Sequence, residues 1–145
     1  MIDWRKINWK GKIMFETLAV KTSKRIEMID ITERIAAFIK KNNVDRGLCC
    51  LFVPHTTAGI TINENADYTV QLDINSGLSK LIPAGENYSH LEGNSDSHIK
   101  STLVGSSLNV IIEGSRLALG TWQGIYFCEY DGPRNRSLYI KLIEG

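Results

Sequence analysis

The chain has 145 residues, a formal net charge of +1, and 43% hydrophobic against 23% charged residues, ordinary figures for a soluble globular protein. A chain of this length suits one domain whose core buries about two-thirds of the surface of the unfolded chain, so it needs no covalent staples. The balanced charge gives no general pull toward nucleic acid or anionic membrane, and the longest uncharged apolar run, residues 48–53, is far too short to span a bilayer.

The three cysteines form an odd set without C-x-x-C spacing, and Cys49-Cys50 lies in an apolar run, so reduced thiols in or near the core and a cytoplasmic setting are expected. The start, Met1-Ile2-Asp3-Trp4-Arg5-Lys6, carries charges and no apolar segment of the kind that directs secretion. Residues 12–20 alternate imperfectly and predict a first strand, with a short second strand over residues 23–28. Asp30 and Glu33 then look like a capping box opening a helix, whose apolar stripe is Ile31, Ile35, Phe38 and Ile39 and whose end falls at residues 40–43.

Gly47 opens the run 48–53, which has the composition of a strand buried on both faces, and Pro54 ends it for want of a backbone donor. His55-Thr56-Thr57-Ala58-Gly59 follows as a loop leaving a rigid strand, a common place for a site. Residues 60–62 briefly resume a strand, and Asn63-Glu64-Asn65 reads as the cap of a second helix reaching about Ile82, with a break expected over residues 73–77. After the polar run 88–98, Asp96 or Ser95 caps a short helix over residues 97–104. Strands over 108–113, 117–129 and 137–143, separated by short turns, predict an antiparallel meander.

The chemistry-bearing groups concentrate in loops. Between His90 and His98 every second residue, Glu92, Asn94 and Asp96 included, carries a proton-, metal- or hydrogen-bond-binding group, with Gly93 placed to bend the run. All three histidines, His55, His90 and His98, lie in polar settings beside carboxylates. Imidazoles with an acidic group are a common way to hold zinc, and carboxylates alone can hold magnesium, so a divalent metal ion is one reading of the set. Hydrogen-bonded loop histidines are the other, since no compact zinc spacing is present.

Glu64 and Asp67, with Asn63, form a second acidic group that complements the start of the second helix. Arg134 and Arg136 read as exposed turn arginines or as a fork for phosphate, with Lys100 as a third cation. Trp122 reads as core, whereas Gln123 requires a polar partner if buried.

Pro54-His55-Thr56-Thr57-Ala58 with Asn63-Glu64 and Asp67, then His90-Leu91-Glu92-Gly93-Asn94-Ser95-Asp96-Ser97-His98, Gly120-Thr121-Trp122-Gln123 and Glu129-Tyr130-Asp131-Gly132-Pro133-Arg134 resemble, in that order, the YjbQ-like family of secondary thiamine-phosphate synthases. The resemblance covers nearly the whole chain. It implies a single α+β domain, mostly an antiparallel β-sandwich or pseudo-barrel packed with two or three helices, assembled as a homotrimer.

It also implies a reaction that joins a hydroxymethylpyrimidine diphosphate to a thiazole phosphate and releases diphosphate. Carried over by motif, His55, His90 and His98 line the pocket and are the metal-ligand candidates. Glu64, Asp67, Glu92 and Asp96 supply metal or acid/base oxygens, and Lys100, Arg134 and Arg136 meet phosphate, with Thr56, Thr57, Asn63, Asn94 and Gln123 as further substrate contacts. The residue inventory also suits a metal-dependent hydrolase of a phosphorylated metabolite, or a non-catalytic protein that captures an anionic one.

Overall fold

The computed structural model describes residues 11–145, and the reading of residues 1–6 lies outside them. The described chain is α+β, with three helices and eight strands in two antiparallel sheets. The larger sheet has the order β1 (Ile13–Lys21), β8 (Asn135–Glu144), β3 (Gly47–Phe52), β5 (Ser107–Glu113), β6 (Arg116–Leu117). The smaller one runs β2 (Glu27–Asp30), β7 (Gln123–Glu129), β4 (Ala58–Glu64).

The sheets pack face to face because their inward positions follow the two-residue period. Cys49 and Leu51 of β3, Val110 and Ile112 of β5, and Leu138, Ile140 and Leu142 of β8 meet Ile60 of β4 and Ile125 and Phe127 of β7. Helix α1 (Thr32–Lys41) adds Ile35, Phe38 and Ile39 to this core, as its stripe predicts. Fully burying one such aliphatic side chain contributes about 1.5–3 kcal/mol. The opposite face of β7 presents Tyr126 and Cys128, continued just past its end by Tyr130, and against these Leu78 of α2 (Tyr68–Leu81) and Val104 of α3 (Ser95–Val104) pack. The small sheet is thus covered on both faces.

Several boundaries differ from the sequence reading. The second strand begins at Glu27, because the Glu27 carboxylate accepts the amides of Ser23 and Lys24 and closes a turn there. Asp30 does cap α1, taking the Thr32 amide at 2.9 Å, but the N-cap position is Ile31, so Glu33 sits one residue too early to complete a box. Strand β4 runs on from Ala58 to Glu64, so Glu64 lies in a strand and shares no helical face with Asp67. Asp67 itself caps α2, accepting the Thr69 amide at 2.9 Å, and α2 passes through residues 73–77 without a break.

The meander is also corrected. After the β5–β6 hairpin the chain leaves the sheet, β7 enters the other sheet, and β8 returns between β1 and β3. Strand β3 is buried on one face only, since Phe52 remains 46% exposed beside Ile13, Phe15, Ile111 and Tyr139, all exposed. Cys49, Cys50 and Cys128 are free thiols, and burial pushes both Cys49 and Cys128 up to about 12.

Candidate active site

The site begins where β3 runs out. Beyond Pro54 the loop is held from two sides: the Val53 amide donates to Ser106 O at 2.8 Å and His55 Nε2 accepts the Ser137 amide at 2.9 Å. An imidazole that accepts at Nε2 carries its proton at Nδ1 when neutral, so this bond assigns the tautomer. Burial first, then the Arg136 charge, lowers the His55 pKa below its ordinary value.

Helix α3 supplies the facing wall. Residues three and four apart share a helical face, which puts His98, Ser101 and Thr102 together. They meet His55, Thr56 and Ser106 around a cavity of about 450 Å³. The helix is docked by Ser101 Oγ donating to Thr56 O at 2.6 Å, and by Gly105, whose φ of +100° lets the chain turn while its carbonyl accepts the Ile60 amide at 3.0 Å. His98 also borders a second cavity of about 370 Å³ with Tyr88, His90 and Ile99, while His55 borders a third of about 480 Å³ with Phe52 and Arg136. The first cavity shares His98 with the second and His55, Thr56 and Ser106 with the third, so the two adjoin it from either side of the His55–His98 cleft.

Arg136 is not an exposed turn arginine. Strand β8 starts at Asn135, so the two-residue period puts Arg136 on the same inward face as Leu138, Ile140 and Leu142, and it is 7% exposed. Its partner is Glu129, which lies on the inter-sheet face of β7 with Ile125 and Phe127 and is fully buried. The pair closes one end of the inter-sheet core. Arg136 Nη2 also donates to Thr57 Oγ1 at 2.8 Å, which fixes the residue after the cleft-lining Thr56.

The buried face of α3 is polar. Asp96 accepts both guanidinium nitrogens of Arg25, at 3.2 and 2.9 Å, and Lys100 Nζ at 3.2 Å, with Asp96 and Lys100 each 1% exposed. Burial opposes the Asp96 charge, yet the hydrogen bonds from Arg25 and Lys100 bring its pKa below the ordinary value. Lys100 is therefore committed to Asp96. Arg134 is held by Asp131 at 3.0 Å, and Asn94 donates to the same Asp131 oxygen at 2.9 Å. The apolar residues Ile99 and Leu103 of α3 face outward, 41% and 58% exposed.

The sequence candidates thus fall into three places. His55, Thr56, His98 and Arg136 line the cleft, and His90 joins its outer end, its ring centroid 5.5 Å from that of His98 and its Nε2 3.5 Å from Glu92. Thr57, Asn94, Asp96, Lys100 and Arg134 are engaged in the bonds just described. Asn63, Glu64 and Gln123 border a separate cavity of about 390 Å³ with Trp122, which is 63% exposed and not core. Gln123 finds its partner in the Gly120 amide at 2.8 Å, and Asp67 stays at the start of α2, its pKa lowered by the Thr69 hydrogen bonds.

Among the described residues of one chain, no three His, Cys, Asp or Glu side chains are grouped to hold a metal ion. His55 offers only Nδ1, because Nε2 is occupied by the Ser137 amide. The histidines as arranged in a single chain therefore do not make a three-ligand metal site.

Sequence reasoning passed over Glu129, Arg25, Ser101 and Ser106. Glu129 did leave a signal: a lone carboxylate closing the apolar run Ile125-Tyr126-Phe127-Cys128 requires a buried partner.

The two-sheet α+β fold is a form shared by known proteins. The chain belongs to the YjbQ-like UPF0047 family, whose pattern matches residues 16–145. The UPF0047 protein MJ1081 of Methanocaldococcus jannaschii is 54% identical over 132 residues, covering 91% of this chain and 95% of its own. YugU of Bacillus subtilis is 52% identical over 131 residues, covering 90% and 99%. The crystal structure of a YjbQ/UPF0047 family protein from Clostridium acetobutylicum, 50% identical, superimposes with a TM-score of 0.86 over 88% of this chain and 99% of that one. A YbjQ-like protein from Sulfolobus solfataricus, at 28% identity, gives a TM-score of 0.89, covering 93% and 99%.

Proposed function

We propose that the chain is a cytoplasmic enzyme acting on phosphorylated small molecules at the His55–His98 cleft, with thiamine-phosphate-synthase-like transfer as its reaction. The observation that carries this reading is the pairing of His55 and His98 around a cavity of about 450 Å³, in the size range of small-molecule sites, with the buried guanidinium of Arg136 lining the cavity that adjoins it at His55. In the transfer, the C–O bond of hydroxymethylpyrimidine diphosphate breaks and its electron pair leaves with diphosphate. The thiazole nitrogen lone pair then forms the new C–N bond. Arg136 donates to the departing phosphate, while His55 and His98 face the carbon as it loses electron density. The divalent ion enters with the diphosphate as magnesium, which prefers phosphate oxygens and water to histidine.

Self-association as a homotrimer belongs to the same proposal. It is supported by apolar side chains left outside a single chain, Phe15, Ile111 and Tyr139 on the large sheet and Ile99 and Leu103 on α3. The test is a product assay with hydroxymethylpyrimidine diphosphate, with and without thiazole phosphate. The reading expects diphosphate and thiamine phosphate only when both substrates are present. Diphosphate released without the thiazole would instead identify a hydrolase, and ligand binding without turnover a binding protein.

A further inference from the structure

The Glu129–Arg136 ion pair is asymmetric in a way that its burial alone does not require. The Glu129 oxygens receive Thr22 Oγ1, the Nε and Nη2 of Arg136, and the amides of Tyr130 and Asp131. Arg136 spends its Nε and Nη2 on Glu129 and Thr57. Its Nη1, with two donors, makes no hydrogen bond among the described residues, and the side chain borders the cavity of about 480 Å³ that also touches His55, Thr56 and Ser106. A guanidinium held along one edge presents the other edge in a fixed direction, the geometry that recognises an oxyanion.

We infer that Glu129 is a positioning residue, holding the Arg136 guanidinium side-on so that its Nη1 edge, beside His55, seats one phosphoryl oxyanion of the ligand. This deepens the phosphorylated-substrate reading and rests on it. Because Glu129 partly cancels the Arg136 charge, the seat works through oriented donors rather than through net charge. That distinction reverses the sign of one substitution. Glu129→Gln makes the site more positive, which strengthens anion binding if Glu129 only neutralises, and weakens it if Glu129 aims the guanidinium, since an amide in its place can no longer accept every donor it holds.

The experiment is titration of the full-length protein with inorganic phosphate, followed by nuclear magnetic resonance and calorimetry, with acetate as the comparison anion. In the wild type, saturable shifts of the Ser137 amide and the His55 ring are expected. Glu129→Gln and Arg136→Lys are each expected to weaken phosphate about tenfold or more, Lys because it keeps the charge but loses the fork. Phosphate binding that leaves Ser137 and His55 unmoved overturns the inference, as does unchanged or tighter binding by Glu129→Gln, or acetate binding as well as phosphate. The wild-type titration needs no variant to fold, and it is independent of turnover. Failure of the transfer assay with an intact phosphate seat would therefore sink the reaction and leave the seat in place.

Discussion

His55 Nε2 accepts the backbone amide of Ser137 at 2.9 Å, which ties the loop after β3 to β8 at the residue following Arg136. The cleft histidine and the cleft arginine are thereby fixed by one strand. The bond requires an unprotonated Nε2, and burial and the Arg136 charge both favour that state, since His55 is shifted to a lower pKa than in the unfolded chain.

A pH dependence follows from this shift. A histidine with a depressed folded pKa contributes stability that is fully present above its unfolded value, about 6.5, and is lost as pH falls through the folded value. His55→Gln keeps an acceptor for Ser137 but does not titrate. In urea unfolding, the stability advantage of wild type over this variant is expected to be largest above about pH 6.5 and to shrink on acidification. A difference that stays constant from about pH 8 to pH 5 would show that His55 does not couple to folding.

Asp96 anchors α3 by holding two cations, Arg25 and Lys100. Asp96→Asn leaves the ammonium of Lys100 buried without its counter-charge, and is expected to cost about 3–5 kcal/mol in denaturant unfolding. Lys100→Met, which leaves Asp96 paired with Arg25, is expected to cost clearly less. Equal losses would mean that the Arg25 bond contributes nothing inside the helix interface. The depressed Asp96 pKa adds that its share of stability is present above about pH 4 and fades below it.

The seam between β4 and α3 leaves no room at Gly59, where an added Cβ would lie 2.8 Å from Gly105 O and 3.2 Å from a Val104 methyl. Gly59→Ala is expected to destabilise by about 1–3 kcal/mol, the usual cost of overpacking. It should also widen the cleft, because the displaced Gly105 adjoins the cavity wall. A thermal shift within error of wild type would contradict this packing.

What the sequence made legible follows from periodicity. The stripe of α1, the apolar run of β3 and its end at Pro54 were readable because each obeys a local rule. Helix α3 was expected over residues 97–104 and found at Ser95–Val104, but its facing was hidden: its inward face is Asp96, Ser97, Lys100 and Ser101, while Ile99 and Leu103 point out, so an apolar-in pattern misjudges it. Arg136 was read as turn because β8 begins at Asn135, two residues before the strand expected over 137–143, and only pairing with β1, Val20 opposite Arg136, shows that it faces inward. Glu129, seven residues before Arg136, left its signal in the apolar run it closes, but that the two side chains meet inside the core required the fold. Of the candidate site, the histidines could be found by residue type alone. The choice of Arg136 over Arg134 and Lys100 as the cleft cation required the fold.

Trp122 marks a further correction that can be measured. It lies at the exposed turn before β7 and packs into neither core cluster. Trp122→Ala is therefore expected to change folding stability by no more than about 0.5 kcal/mol, against the 3–5 kcal/mol or so of a buried Trp. A large loss would restore it to the core.

The central claim is that the His55–His98 cleft performs the transfer, and turnover by His98→Ala with both substrates tests it most directly. His98 is only half-buried where it borders the cleft, so its truncation should leave the fold intact. The account predicts wild-type thermal stability with thiamine phosphate formation reduced about 100-fold or more, the usual scale for losing one group that meets developing charge. Formation at the wild-type rate would contradict it.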